Sequence, residues 1–354
     1  MYILLSIITA TLAVILDLLP LKRQNKSIKL FAFVLTVCFL VIFVGYRDCG
    51  FDYDNYRYYY KWFNDAWINN SEVFGVEKGY AFLNYILPSF RSVFVVMALI
   101  TISLQLFFLY KYSPAPFASL LFYIGVFLYA SAMGQYRQSL ALAIAIWAFV
   151  SYQNKLRFII LVVLACLYHV SALIALLVLF MPKHMCKLKI YVMLFALALI
   201  VNLTAGPLIM SWFGDLTPFI ADKLETYSIE EAGMNVGFNR TMLLRIIIFI
   251  LFYINRNVIL QYKYGELFFN LYFVSMLMYM GFGFLPQLAG RGSIYFSYME
   301  LLLSGMLVCI PRKGFIYFCF FLLICVWRQI SFFNVWGQDF IPYKNELFSI
   351  LGLI

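Results

Sequence analysis

Long, almost uncharged apolar runs recur along the chain and are separated by short polar breaks. A run such as LFAFVLTVCFLVIFVG, at residues 30–45, is typical of a helix that crosses the ~30 Å hydrocarbon core of a bilayer. Only helices and closed barrels satisfy their backbone polar groups in lipid, and the alternating pattern of barrel strands is absent from the sequence. The pattern therefore predicts an all-α polytopic integral membrane protein.

The runs predict about 11–12 transmembrane helices within a single transmembrane domain, residues 1–354, because no internal repeat or low-complexity linker divides them. The first run lacks a basic segment before it, so we interpret it as a retained helix. An amphipathic stretch, 79–90, is predicted to lie in the membrane interface. The approximate bounds of the helices are 3–21, 30–45, 92–110, 114–132, 138–152, 157–169, 170–182, 189–207, 241–254, 265–284, 293–310 and 314–330.

The charges between the runs predict the orientation of the chain. Breaks with few acids hold 14 of the 26 basic residues, and the other breaks hold 13 of the 16 acidic residues. Because basic loops stay in the cytoplasm, the acidic breaks are predicted to be exoplasmic. They are the loops at about 46–79 and 208–240 and the tail at about 331–354, which we expect to form a cavity at the outer leaflet.

This orientation requires a break in the run 157–182. A single crossing would place the basic loop 183–189 outside, whereas two short helices that meet near His169 keep it inside. We therefore predict a helical hairpin with the sequence YHVSA near the outer face or partway into the membrane.

Composition agrees with the membrane class and reduces the range of expected partners and sites. Apolar residues make up 65% of the 354 residues and charged residues 12%, and the mean hydropathy is +0.90. The net charge of +10 lies mostly in the breaks that set topology, so nucleic acid is not an expected partner. The seven cysteines form no C-x-x-C pair and no His cluster accompanies them, so neither a disulfide framework nor a metal site is predicted.

Arginine side chains near the predicted outer ends of helices are the candidate diphosphate ligands. Arg within a membrane segment costs ~2.5–3.5 kcal/mol at the helix centre and usually faces protein or a wet cavity. A planar guanidinium binds two phosphate oxygens at once. The alternative is that each side chain snorkels to the headgroups or pairs with a nearby acid. The group consists of Arg47, Arg137, Arg291, Arg245 and Arg240.

The candidate catalytic residues are His169, Asp52 and Asp54. A histidine titrates near neutral pH, which suits a general base that acts on a sugar hydroxyl. His169 is the only histidine outside the basic break 183–189, although a lone histidine on an apolar helix is often a hydrogen-bonded core residue. The aspartates are candidate bases or sugar ligands, and their alternative is a solvated loop.

Polar and aromatic residues of the exoplasmic segments are the candidate sugar ligands, because ring faces and phenol hydroxyls suit pyranose rings. Glu77 has an alternative role as the partner of Lys78 where a helix begins. The candidates are Asp48, Tyr53, Tyr56, Glu77, Gln138 and Tyr295.

Several of these segments resemble the EpsG-like polysaccharide polymerases, the group that includes many Wzy-type O-antigen polymerases. YRDCGFDYDNY is similar to their Arg-x-x-Gly-x-Asp-Tyr-x-x-Tyr signature, although Phe51 replaces a Thr or another small polar residue. VEKGYAFLNYIL, MGQYRQSLALAIAIWAF, LYHVSALIALL, GRGSIYF and IPYK are similar to further family segments, in the family's order. Together the matches span residues 45 to about 344.

The resemblance implies a GT-C-like fold and a metal-independent glycosyltransferase of the bacterial inner membrane without a cofactor. Its donor and acceptor would be oligosaccharide repeat units on undecaprenyl diphosphate, joined on the periplasmic face into an O-antigen or another surface polysaccharide. A chain-length regulator and a flippase are candidate partners. The alternatives are that the protein is itself a flippase for the lipid-linked unit, or a ligase that transfers a finished glycan from its lipid diphosphate.

Overall fold

A computed structural model describes residues 1–19, 26–68, 77–205 and 237–353. These residues are predominantly helical and include no β-strand, which confirms the all-α prediction. Most of the predicted loop 208–240, namely 208–236, lies outside the described residues. So do residues 69–76 of the loop 46–79.

The first of the helices before residue 206 lies in the chain's first apolar run. Three of them continue into wider π-helical turns, over Val14–Leu18, Ile124–Gly134 and Val201–Ala205, and a 3₁₀ helix covers Val170–Leu179. The α-helices of this part are α1 (Tyr2–Ala13), α2 (Lys26–Gly45), α3 (Tyr53–Ile68), α4 (Lys78–Ile86), α5 (Phe90–Tyr112), α6 (Pro116–Tyr123), α7 (Tyr136–Phe149), α8 (Lys155–Cys166) and α9 (Leu188–Ile200).

The helices after residue 236 include the longest one in the described part of the chain. They are α10 (Arg240–Ile254), α11 (Arg256–Ile259), α12 (Gly265–Gly281), α13 (Pro286–Ser297), α14 (Met299–Val308), α15 (Gly314–Phe340) and α16 (Glu346–Ile350).

Four helices are long and apolar enough to cross a membrane: Lys26–Gly45, Phe90–Tyr112, Pro116–Gly134 and Gly314–Phe340. The first and last of these bury only 33% and 22% of their most apolar window inside the protein. Apolar surface of that extent is stable against lipid rather than water. The polytopic membrane class is therefore confirmed, whereas the number of 11–12 crossings stays a prediction.

The boundaries of several elements differ from the prediction. The segment 46–79, predicted as a loop, contains the polar helix α3, and α15 continues ten residues past its predicted end at 330. The predicted interruption near His169 is confirmed, because α8 ends at Cys166 and a 3₁₀ helix begins at Val170. The reversal of direction at this point stays a prediction.

The chain divides into two compact units. The first comprises Met1–Ala175 and Ser304–Ile354, and the second comprises Leu176–Leu303. In the first unit, Pro116–Gly134 is 89% buried and packs against α1, α5 and α15. In the second unit, α12 is the central helix and contacts α9, α10 and α13.

A buried ion pair fixes the start of the central helix in the first unit. The carboxylate of Asp17 accepts hydrogen bonds from the backbone N–H groups of Phe117 (2.7 Å) and Ala118 (2.9 Å). Its other oxygen lies 2.6 Å from Nζ of Lys29, and the Asp17 side chain has no exposed surface. Asp17 therefore satisfies two unpaired donors of the helix start and a cation together.

Asp17→Ala should lower the free energy of unfolding by about 3–5 kcal/mol, because it leaves the Lys29 ammonium and two N–H groups without their acceptor. The measurement is the apparent Tm of the purified protein in detergent. Thr11→Ala is the control, since the exposed Thr11 hydroxyl of the same helix bonds only to the carbonyl of Ile7. Equal Tm values for the two variants would contradict the structural role of Asp17.

Candidate active site

Polar residues from four distant segments of the sequence meet at one place in the first unit. We call Arg137, Glu77, His169, Ser171 and Tyr56 the polar cluster. Direct hydrogen bonds and backbone contacts join its members, as described below. Four of the five were singled out separately by sequence as candidate phosphate, sugar or proton ligands.

Arg47 holds the backbone on which the cluster is built. Its guanidinium has no exposed surface and donates to the carbonyl oxygens of Val44 (2.6 Å), Cys49 (3.1 Å) and Met133 (2.7 Å). The rings of Phe94 and Tyr136 lie 4.9 and 4.8 Å from the guanidinium carbon. These contacts occupy the side chain with protein acceptors. We therefore regard Arg47 as a residue that positions its neighbours, and its role in binding diphosphate stays an untested prediction.

Close backbone approaches accompany this arginine. Gly50 has a φ of +123°, and a Cβ there would lie 2.8 Å from the carbonyl oxygen of Met133. A Cβ at Gly134 would lie 2.2 Å from the ring of Phe51, which also contacts the ring of Trp336. The segment after α2 thus packs directly against the residues that precede α7, and the Phe51 ring fills the space beside Gly134.

Asp48, a predicted sugar ligand, lies in an ion-paired group. The Arg91 guanidinium pairs with Asp48 and, at 2.6 Å, with Glu346 of the C-terminal segment. Tyr53 donates its hydroxyl hydrogen to Asp48 (2.7 Å). Burial, together with this carboxylate, raises the pKa of Tyr53 to about 12. Since Asp48 also donates its N–H to the carbonyl of Lys344 (2.9 Å), the group holds the C-terminal segment against the segment after α2.

Arg137 is the central cation of the polar cluster. Its Nη1 lies 2.7 Å from Oε2 of Glu77, and both side chains are about one-fifth exposed (20% and 17%). Its backbone N–H donates to the hydroxyl oxygen of Tyr56 at 3.4 Å. The Nε of Arg137 is buried and meets no hydrogen-bond partner in the described part of the chain. The guanidinium therefore retains donor capacity beyond its ion pair.

Tyrosine rings surround this guanidinium. The centroids of Tyr56, Tyr59 and Tyr80 lie 6.0, 5.7 and 5.6 Å from its central carbon. Ring faces stabilise a cation, most strongly where water is excluded. Burial raises the pKa values of Tyr56 and Tyr80, so both stay neutral hydrogen-bond donors at physiological pH. The same rings offer flat apolar faces of the kind that stack on sugars.

The start of α4 lies on the break that follows α8. The backbone N–H of Gly79 donates to the carbonyl oxygen of Leu167 (2.8 Å), and Oε1 of Glu77 accepts the N–H of Val170 (3.3 Å). A Cβ at position 79 would lie only 2.6 Å from that same carbonyl oxygen. Only glycine permits this approach, so Gly79 of the sequence VEKG is required for the contact with the turn that contains His169.

His169 and Ser171 form a pair within that turn. Nδ1 of His169 lies 2.6 Å from Oγ of Ser171 and accepts the Ser171 backbone N–H at 3.3 Å. A ring nitrogen that accepts an N–H carries no proton, so the neutral ring has its hydrogen on Nε2. Nδ1 is then the basic atom of the ring, and the serine hydroxyl lies beside it.

The remaining candidates of the first unit lie around the cluster rather than in its centre. Asp54 is exposed on α3, and Asp52 is partly buried and precedes that helix. Gln138 is 3% exposed. Their assigned roles stay predictions.

The other arginine candidates belong to the second unit. Arg240 is exposed at the first turn of α10, and Arg245 lies 4.5 Å from the ring centroid of Tyr279 and donates to the carbonyl of Ser275 at 3.4 Å. Arg291 is partly buried on α13, four residues before the fully buried Tyr295. Convergence of these residues with Arg137 stays a prediction.

Sequence reasoning missed Arg91, Tyr59 and Tyr80. Arg91 lay just before the predicted start of a helix at 92 and resembled an ordinary flanking charge. Tyr59 lies three residues after Tyr56, and Tyr80 lies three residues after Glu77, so helical spacing was the signal that could have added both rings. No group of three or more His, Cys, Asp or Glu side chains able to hold a metal ion occurs among the described residues.

The helices and the cluster define a polytopic helical membrane protein. Its first unit brings together a cation, a carboxylate, a histidine and several tyrosines, which are groups that suit an anionic, hydroxyl-rich ligand.

The model of the EpsG family matches residues 2–345, and the chain therefore belongs to the EpsG family. Membership supports a glycosyltransferase-like polymerase role in polysaccharide biosynthesis. No match was found in the comparisons with curated proteins and with solved structures. The GT-C-like architecture accordingly stays a prediction.

Gly79→Ala should separate α4 from the turn 167–170, because the new methyl group would overlap the Leu167 carbonyl. We expect a polymerase rate at least about 10-fold lower, since Glu77 and His169 would move apart. The matched control is Gly337→Ala on α15, where the nearest atom to a Cβ lies at 3.8 Å. Wild-type activity of Gly79→Ala in a glycan-ladder assay would show that this contact does not matter.

Proposed function

We propose that the protein polymerises oligosaccharide repeat units carried on undecaprenyl diphosphate at the periplasmic face of the bacterial inner membrane. The growing chain is transferred from its carrier lipid to a hydroxyl of the next lipid-linked unit. The observation that supports this most strongly is that the polar cluster combines, in one place, a guanidinium, an imidazole and sugar-compatible rings.

In the proposed reaction the bond between the anomeric carbon and the diphosphate oxygen breaks, and the acceptor oxygen takes its place. The diphosphate leaves with the bonding electron pair, and the acceptor hydroxyl gives up its proton. Arg137 stabilises the negative charge of the leaving diphosphate. His169 takes the proton at Nδ1 by way of the Ser171 hydroxyl, which receives the acceptor's proton and passes its own to the nitrogen 2.6 Å away.

In this proposal, the tyrosine rings bind the acceptor sugar. Tyr56, Tyr59 and Tyr80 supply ring faces beside Arg137. Arg240, Arg245 and Arg291 are proposed further ligands of the diphosphate or the lipid headgroup region. Asp52 and Asp54 are the alternative bases, which a comparison of His169→Ala with their Asn variants distinguishes by rate.

The test is reconstitution of the purified protein in vesicles with its lipid-linked repeat unit, without a nucleotide sugar, followed by gel analysis of the glycan. A ladder of products is expected. Movement of the unit across the membrane without a ladder would instead identify a flippase. Transfer of a finished glycan to a different acceptor would identify a ligase.

Arg137→Ala should lower the rate of ladder formation by about 10²–10³-fold, because a positioned donor to the leaving group is lost. Arg137→Lys should recover only part of this rate, since an ammonium cannot bind two phosphate oxygens in the guanidinium geometry. The control is Arg57→Ala, which removes an exposed arginine from α3. Equal rates for Arg137→Ala and Arg57→Ala would exclude Arg137 as a diphosphate ligand.

A further inference from the structure

Both oxygens of the Glu77 carboxylate are engaged, each by a different segment of the chain. Oε2 pairs with Nη1 of Arg137 at 2.7 Å, and Oε1 accepts the N–H of Val170, the residue after His169, at 3.3 Å. The side chain is 17% exposed. These contacts point to a positioning role, and the sugar contact predicted from sequence stays an untested prediction.

We propose that Glu77 is a positioning residue that sets both the affinity of Arg137 for a diphosphate and the location of His169. The inference rests on the proposed function, in which these two side chains bind the leaving group and take the proton.

The effect on Arg137 follows from charge. A carboxylate at 2.7 Å neutralises the guanidinium, so an incoming diphosphate must compete with Glu77 for Arg137. Removal of the Glu77 charge should therefore make diphosphate bind more tightly. A residue that contacted only the sugar would leave this affinity unchanged when altered, and one needed only for folding would lower it.

The effect on His169 follows from the backbone. The turn is held on one side by the bond from Gly79 N–H to the Leu167 carbonyl and on the other by the bond from Val170 N–H to Glu77. His169 lies between these two points. Loss of the second bond removes one of these two contacts with the start of α4, and a displacement of about 1 Å at a reacting group can cost about 10²-fold in rate.

The two effects are coupled because one side chain produces both. If diphosphate draws Arg137 away from Glu77, the carboxylate changes its position, and Val170 with His169 follows. By thermodynamic reciprocity, the position of the turn also alters the affinity of Arg137 for diphosphate. Glu77 thus connects the binding of the leaving group to the location of the base.

Glu77→Gln tests both effects with almost no change of shape. An amide replaces one of the two oxygens by NH2, so one of the two donors, on Arg137 or on Val170, faces a group that cannot accept its hydrogen bond. The dissociation constant for undecaprenyl diphosphate in detergent micelles should fall by about 5-fold or more. At the same time, kcat for ladder formation should fall by about 10²-fold.

Glu346→Gln is the matched control. It makes the same chemical change in the carboxylate that pairs with Arg91, and we expect both constants to stay near those of the wild type. Glu77→Asp provides a second variant in case the amide does not fold. It retains the charge beside Arg137 but is shorter by one methylene, so affinity should stay near wild type while kcat falls.

A direct measurement of His169 completes the experiment. The chain has two histidines, and His184→Gln leaves His169 as the only histidine that diethyl pyrocarbonate can carbethoxylate. In that background, undecaprenyl diphosphate should change the rate at which N-carbethoxyhistidine forms at His169, and Glu77→Gln should abolish the change. Weaker or unchanged diphosphate binding by Glu77→Gln, or an unaltered response of His169, would overturn the inference. Absence of both a ladder and diphosphate binding in the wild type would instead overturn the proposed function.

Discussion

The hydrogen bonds of the buried Arg47 guanidinium hold the backbone on which the polar cluster depends. A charge without solvent is costly unless hydrogen bonds replace its water, and here three carbonyl oxygens do so. Those carbonyls belong to the end of α2, to the following turn and to Met133, near the end of the helix that starts at Pro116. Satisfying one charge therefore fixes three pieces of backbone, and Met133 lies four residues before Arg137.

Glu77 repeats this arrangement with the opposite charge. A carboxylate holds a guanidinium and a backbone N–H, and Gly79 permits the close approach of the two chains. Both arrangements combine a charged side chain, a backbone acceptor or donor and a glycine. Groups held in this way are already oriented before a ligand arrives, which is the condition under which charges stabilise a transition state most effectively.

The sequence predicted the class of the protein because lipid imposes a strong constraint on every apolar run. It also predicted the break near His169, since the charge of the following loop required one. It treated Arg47 and Arg137 alike, as arginines at outer helix ends. Their difference depends on which acceptors lie within about 3 Å, and two of these acceptors, Met133 for Arg47 and Glu77 for Arg137, lie some 60 to 90 positions away in the sequence.

The helix α3 could have been predicted from the sequence. Its residues were interpreted as a loop because they are polar. Yet Tyr53, Tyr56, Tyr60 and Phe63 recur at the three- and four-residue spacing of a helical face, and Tyr56 and Phe63 are buried. The contacts of Glu77 had no such signal. Two segments about 90 residues apart meet through one carboxylate and one glycine, and no periodicity marks a contact of that kind.

The ion pair between Arg137 and Glu77 also bears on turnover in the proposed reaction. An unpaired arginine would bind the diphosphate product as firmly as the departing group, and slow release would then limit the rate. A carboxylate that competes for the same guanidinium weakens the hold on substrate and product. The same competition weakens the binding of the transition state by a smaller amount if the charge that develops there attracts Arg137 more strongly than the substrate does. Catalysis depends on this difference between states rather than on total affinity, so a partly neutralised arginine suits a polymerase that must release a carrier lipid at every step.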